Sequence, residues 1–364
     1  MDWRKELDDN ITTQEELDEY LKLDLSKEDA KKLESIIEKY PMSITKYYLS
    51  LIDPNDKNDR IKKLCIPSIE ETDISGCFDT SGEHKSTVIA GLQHKYKKTA
   101  LILSTNKCAS YCRHCFRKRL VGVSDKEISK ENNEIAEYIK THKDINNVLI
   151  TGGDAFLNSN DVIHSYLKKL TEIEHIDFIR FGTKTPVVLP SRIYGDSELL
   201  GILAEYTKKK RIYIITQFNH PKEITEESTK AINSLLDIGV IVKNQSVLLK
   251  GVNDDSVIMA ELINRLVGIG VVPYYIFQCR PVTGVKNQFQ VPLREGCRIL
   301  SETRKMLNGQ GKCFRYMLSN ESGKIEIIGS YNKDSLIFKY HQAKNEEDEE
   351  KILICNVDDN QCWI

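Results

Sequence analysis

Three cysteines stand within eight residues of one another, in Cys108-Ala-Ser-Tyr-Cys112-Arg-His-Cys115, a C-x3-C-x2-C spacing. Three thiolates this close can hold three irons of a 4Fe-4S cube and leave the fourth iron without a protein ligand. An open iron can bind a substrate-like ligand, as an open zinc position does. Lys107, Arg113, Lys118 and Arg119 surround the loop. Their charge predicts thiolate rather than thiol and offsets the negative charge of a cluster. The competing chemistry is structural zinc, which prefers four ligands in paired knuckles. His114 would have to be the fourth ligand, with its backbone wedged between two ligand positions. Among the other cysteines, Cys65, Cys77, Cys279, Cys297 and Cys313 form no second knuckle; whether the widely spaced Cys355 and Cys362 hold a second metal is left open. A metal-binding or interaction module without catalysis is the reading from a different class.

The elements around this loop must place it. Residues 1 to about 65 read as helical. Thr13 and Glu16 have capping-box spacing. Ser26 caps a helix carrying Leu33, Ile36 and Ile37, which Pro41 ends. Asp53-Pro54-Asn55-Asp56 is a turn, and 66 to 91 read as a connecting strap. From about 98, six apolar runs alternate with helical stretches. The runs are Thr99–Ser104, Val148–Thr151, Phe178–Gly182, Ile212–Thr216, Ile241–Leu248 and Tyr274–Gln278. The helices are Ser129–Lys140, Asp161–Leu170, Ser197–Lys208, Glu226–Asp237 and Val257–Val267. Such alternation means parallel βαβ units, in an open doubly wound sheet or a partial barrel. Either places chemistry at the C-terminal strand ends, where the cysteine loop follows the first strand. After about 312 the chain is strand-like again: Lys324–Gly329 and Leu336–His341, with Asn320–Gly323 as a turn and Lys344–Lys351 as an acidic solvated loop.

The chain has 364 residues, 40% hydrophobic and 29% charged, with room for one large barrel or two domains. Its 52 Lys and Arg against 54 Asp and Glu give a formal charge of −2, which argues against nucleic acid. No apolar run reaches the ~18 residues of a membrane span, and the first residues lack a signal peptide's apolar stretch. Ten cysteines without such a signal fit a reducing, cytoplasmic setting.

Longer motifs extend the reading. Cys108–Gly122 (CASYCRHCFRKRLVG), Gly152-Gly153-Asp154-Ala155, the Arg180–Pro190 tract (RFGTKTPVVLP), Phe218-Asn219-His220-Pro221 and Asn244–Leu249 (NQSVLL) follow in order. Upstream come Asp53-Pro54 and Gly91–Tyr96 (GLQHKY). Together they resemble the lysine 2,3-aminomutase family of radical S-adenosylmethionine (radical SAM) enzymes, over about 50 to 300 and fading beyond. The resemblance implies an α/β fold: a partial (β/α)6 barrel at 93–300, a helical segment and strap at 1–92, and a small β-rich segment at 301–364. It implies a 4Fe-4S cluster on Cys108, Cys112 and Cys115 that cleaves S-adenosyl-L-methionine to a 5′-deoxyadenosyl radical, which abstracts hydrogen from a small substrate. It further implies an electron donor such as flavodoxin or ferredoxin, and leaves a homo-oligomer open. Gly152, Gly153, Asp154, Arg180, Lys184 and Gln245 would then serve S-adenosyl-L-methionine, with Gln245 ending the fifth strand. Arg117 would bind the substrate carboxylate, for which a guanidinium fork is suited.

The chain departs from the family at three places. The glycine-rich lysine segment that binds pyridoxal phosphate (PLP) is reduced to Asn320-Glu321-Ser322-Gly323-Lys324, and Lys324 reads first as the start of a strand. Tyr96 is kept, but the arginines flanking it in the family are Lys95 and Thr99 here, which removes bidentate contacts to a phosphate. Arg280 stands where the lysine enzyme carries an aspartate, and Gln217 replaces a histidine. A cation at 280 repels a lysine side chain and favours an acidic substrate. The expectation is a diverged relative working without PLP on a carboxylate-bearing substrate. The alternative is a PLP-dependent 2,3-aminomutase of a non-lysine amino acid such as glutamate.

Overall fold

All six apolar runs form strands, because β-rich residues bounded by turn formers can be buried between helices on one side and a barrel interior on the other. A computed structural model describes residues 2–22, 25–129 and 132–364. The six are β3 (Thr99–Thr105), β4 (Asn147–Gly152), β5 (Phe178–Gly182), β6 (Arg211–Thr216), β7 (Ile241–Leu248) and β8 (Val272–Gln278), all parallel. Their crossover helices are Asn132–Thr141, Asn160–Thr171, Ser197–Thr207, Glu226–Asp237 and Ser256–Gly268. The start expected for the first helix includes residues 130 and 131, which lie outside those described.

The sheet is longer than six strands. β1 (Thr87–Ile89) and β2 (Leu92–Tyr96) add an antiparallel hairpin before β3. β9 (Arg315–Ser319) extends β8 as a seventh parallel strand. β10 (Gly323–Ser330), β11 (Ser335–Ala343) and β12 (Ile352–Asn356) continue antiparallel. Among the described residues the order is β1 to β12 without closure, a partial barrel with β1 and β12 as edges. β1, β2 and β12 were not anticipated, β9 falls in the stretch read as strand-like after about 312, and Lys344–Lys351 is mostly exposed as expected.

Alternation along β7 shows how side chains are dealt to the two faces. Val242, Asn244, Ser246 and Leu248 are buried against the helices, while Gln245 and Val247 face the interior cavity. Gln245 is therefore mid-strand rather than at its end. The N-terminal helices begin as the caps predict: Thr13 and Glu16 make a reciprocal capping box, and Ser26 accepts from the Asp29 amide. These helices supply the outer support of the cysteine loop. Asn10 donates to the Ala109 carbonyl, and the amides of Tyr111 and Arg113 donate to the carbonyls of Ser43 and Leu64.

Candidate active site

The barrel encloses a cavity of about 360 Å³, at the C-terminal strand ends where such folds place chemistry. Cys108, Cys112 and Cys115 all line it as free thiols. Among the described residues, no three His, Cys, Asp or Glu are close enough to share one metal ion. Zinc needs its sulfur ligands about 2.3 Å from one shared centre, whereas a cluster takes one thiolate per iron and needs no such centre.

Several cations around the loop are paired with buried carboxylates. The Arg113 guanidinium donates from Nε to Glu71 Oε1 (2.8 Å) and from Nη2 to Oε2 (2.5 Å), and Lys118 Nζ donates to the same carboxylate (2.5 Å). All three groups are buried. Arg119 is shared between Glu83 and Glu127. Burial outweighs the pull of Arg117 and, at Cys115, of Lys118, and pushes the Cys108 thiol well up and Cys115 to about 11. Ligation to a metal drives off such protons.

The Gly-Gly-Asp tract packs against the start of the cysteine loop. Gly152 has φ +134°, and a Cβ there would stand 2.1 Å from the Thr105 carbonyl oxygen. At Gly153 a Cβ would stand 2.3 Å from the Lys107 carbonyl oxygen. The amides of Gly153 and Asp154 donate to these two carbonyls, at 2.6 and 2.8 Å. Only glycine permits this approach. Asp154 is buried and accepts from the hydroxyls of Thr183 (2.5 Å) and Thr185 (3.0 Å) and the amides of Phe156 (3.0 Å) and Lys184 (2.6 Å). It ties the end of β4 to the end of β5. Lys184 reaches towards Cys112, with Nζ 3.0 Å from Glu223 Oε1.

Arg117 lines the cavity, with Nε and Nη2 donating to Glu83 Oε1 (3.0 and 2.9 Å) and Nη1 to the Gly152 carbonyl (3.2 Å). Arg280 is stacked on Phe116, 4.2 Å from the ring centroid. Its Nη1 is buried without a hydrogen-bond partner among the described residues. Deeper in lie Tyr96, Arg180, Gln245 and Lys324. Arg180 sits two residues below the end of β5, its Nη2 donating to Asn147 Oδ1 (2.5 Å), which draws it away from the strand ends. Tyr96 is pushed up to about 12 by burial. Lys324 does begin a strand, β10, as read from the turn; its amine nevertheless points into the cavity, 5.4 Å from the Tyr96 ring centroid. Burial, reinforced by Arg180, Arg280 and Lys95, holds that amine at about 7. Its Nζ donates to Gln342 Oε1 (2.9 Å).

Sequence reading missed Glu71 and Glu83, both in the supposed strap. The capping-box spacing of Ser68 and Glu71 was the available signal. The residues present fit a cluster at the three thiols and a carbonyl cofactor at Lys324, whose depressed amine is a competent nucleophile.

Residues 102–263 match the Radical SAM superfamily model. The chain is 37% identical over 343 residues to a putative L-lysine 2,3-aminomutase of Aquifex aeolicus, covering 94% of this chain and 91% of that one. It is 42% identical to the L-lysine 2,3-aminomutase of Clostridium subterminale (85% and 73% covered). With the glutamate 2,3-aminomutase of Clostridioides difficile it shares 38% (85% and 72%). Similarity over 94% of the chain extends well past residue 300, where the motifs alone had seemed to fade.

Proposed function

Because the chain belongs to the lysine 2,3-aminomutase family of radical SAM enzymes, we propose that it is a PLP-dependent 2,3-aminomutase of an amino acid with an acidic side chain. Membership makes it an enzyme of radical chemistry and implies a 4Fe-4S cluster and S-adenosyl-L-methionine. When bound, the cluster and S-adenosyl-L-methionine would supply hydrogen-atom abstraction from an unreactive carbon, and PLP would supply an imine π-system able to take up the unpaired electron as nitrogen migrates. No described helix is long and apolar enough to cross a membrane; a cytoplasmic setting with an external electron donor fits the reading.

The observation that carries the PLP assignment is Lys324: a buried amine held near neutrality in the same cavity as the three thiols. It favours the alternative over the PLP-free relative expected from the thinned glycine segment. In this reading Cys108, Cys112 and Cys115 ligate the cluster. Gly152, Gly153, Lys184 and Gln245 face S-adenosyl-L-methionine, while Asp154 positions the tract. Arg117, fixed by Glu83, presents its remaining donor surface to the substrate α-carboxylate. Arg280, with an unpaired buried Nη1, receives the side-chain carboxylate. Leaving it unpaired is unfavourable unless an anion arrives. Tyr96 flanks the amine and closes the cavity wall.

The test is anaerobic reconstitution with PLP, borohydride reduction and mapping of modified lysines. A stoichiometric adduct at Lys324 is expected; scattered surface adducts or none returns the assignment to a PLP-free radical SAM enzyme.

A further inference from the structure

One wall of the cavity is held far more loosely than the rest. Between the helical turn Ile69–Thr72 and the short helix Glu83–Ser86 the chain forms neither helix nor strand. This stretch, Asp73–Gly82, runs over Pro281–Gly284, just past Arg280, where a Cβ on Gly76 would stand 2.4 Å from the Pro281 carbonyl oxygen. It then puts Ser81 and, beyond it, Glu83 into the cavity wall. Among the described residues three hydrogen bonds join it to the barrel. The Gly284 amide donates to the Asp73 carbonyl (3.0 Å), the Cys77 amide to the Pro281 carbonyl (2.9 Å) and Lys95 Nζ to the Ser81 carbonyl (3.1 Å). None of its residues joins the hydrophobic core. Ile74 is 79% exposed, and the Thr80 hydroxyl is buried without a partner. Gly76 and Gly82 have φ +103° and +63°, a region that glycine enters freely. Few apolar contacts and two permissive joints mark a segment that opens locally long before the fold does.

Something beside Arg280 has to move. Its Nη1 is buried with no hydrogen-bond partner, so an anion reaches it only after a rearrangement. The strap is the neighbour best placed to supply one, since Asp79 and Glu83 both act on Arg280. Glu83 also receives Arg117 on Oε1 and Arg119 on Oε2, each at 2.9 Å. Burial alone would raise the Glu83 carboxyl, but Arg117, Arg280 and Arg119 outweigh it and hold it below its ordinary range. One carboxylate at the end of the strap thus fastens it to two guanidiniums that follow Cys115 closely in the chain.

We infer that Asp73–Gly82 is a lid, jointed at Gly76 and Gly82, which opens to admit an anionic substrate and closes over it, and that Glu83 is the positioning residue that latches it to Arg117 and Arg119. The inference deepens the reading of the cavity given above and rests on it only for the identity of the substrate. Closure excludes water from the radical chemistry. The closed lid adds Ser81 to the wall, and a ligand touching that wall favours the closed state through its differential affinity.

The test is hydrogen exchange read by mass spectrometry on the cluster-loaded protein, with the cluster oxidised so that nothing turns over. In the free protein the Cys77 and Gly284 amides bridge lid and barrel. Their protection should be about 100-fold below that of β5; protection equal to that of β5 would overturn the lid. Saturating glutamate, added with S-adenosyl-L-methionine and PLP, should slow these amides about tenfold or more, and lysine is run in parallel. If calorimetry shows an amino acid to bind while the lid amides stay unchanged, the lid has no part in substrate entry and the inference falls. If neither amino acid binds, the acidic-substrate reading fails instead, and the free protein alone decides the lid. Glu83→Gln keeps the shape and removes the charge. It should speed exchange in 73–86 and 281–284 only, with Glu83→Asp nearer to wild type. Unchanged lid exchange in Glu83→Gln, or faster exchange spread through β4 to β6 as plain destabilisation would give, removes the latch.

Discussion

Glu71, on a single helical turn upstream of the barrel, holds Arg113 through two hydrogen bonds of 2.8 and 2.5 Å, and Arg113 is the residue next to Cys112. The cysteine loop is thus fixed from outside the sheet. Arg113 also donates to the carbonyls of Tyr40 and Pro41, so one guanidinium binds two separate stretches of chain to the loop.

Glu71→Gln should destabilise the protein by about 3–5 kcal/mol, because it strands two buried cations. Attraction to Arg113 and Lys118 outweighs burial and holds the Glu71 carboxyl below its ordinary range. Its stabilisation is therefore fully present above the unfolded carboxyl pKa of about 4.3 and lost as pH falls through the lower folded value. Denaturant unfolding at pH 7 and pH 4 checks both statements: the gap between wild type and variant should be wide at pH 7 and narrower in acid.

Replacing Cys108, Cys112 or Cys115 by Ala should abolish cleavage of S-adenosyl-L-methionine and lower bound iron, with far-ultraviolet dichroism preserved, since the three side chains line a cavity rather than fill the core. Cys313→Ala, at an exposed thiol, is the control and should behave as wild type. Undiminished cleavage without the three cysteines would sink the cluster assignment.

Trapping of PLP at Lys324 should rise with pH and level off above about 7, where the amine is neutral. Below that midpoint the rate should drop about tenfold per pH unit. Arg180 repels the charged amine, so Arg180→Gln should move the midpoint upward. A midpoint near the ordinary lysine value in wild type would show that the amine is not buried as described.

Arg280→Asp should reverse the preferred charge of the substrate side chain. Replacing attraction by like-charge repulsion changes discrimination by a few kcal/mol, or about 30- to 150-fold in kcat/KM between glutamate and lysine. Comparing both amino acids on both proteins measures it; an unchanged ratio would free Arg280 from any part in specificity.

How much was legible depended on whether a residue's role left a local pattern. The parallel strands did, through β-rich runs with turn residues at their ends, and so did the three cysteines, through spacing. Lys324 was half legible: Asn320–Gly323 announces the turn and the strand, but which face β10 shows the barrel is set by pairing with β9 and β11. Glu71 and Glu83 were hidden because a buried carboxylate in an irregular stretch looks like a solvated one until its partners, about 40 residues on, are brought to it. The glycines at 152 and 153 were expected to make room for a cofactor. They line the cavity, and their missing Cβ atoms also admit the carbonyls of Thr105 and Lys107, a tertiary contact no spacing could reveal.

The order of the sheet bears on how the protein is made. Every strand from β2 onward pairs with the one before it, so on the ribosome each has its partner already synthesised. The brace of the cysteine loop, Ser43, Leu64 and Glu71, also precedes it. The thiols and their brace are therefore synthesised before β4 to β12, and Lys324, on β10, joins the deep wall later. The part of the cavity that Lys324 lines is therefore made after the part that the three cysteines line.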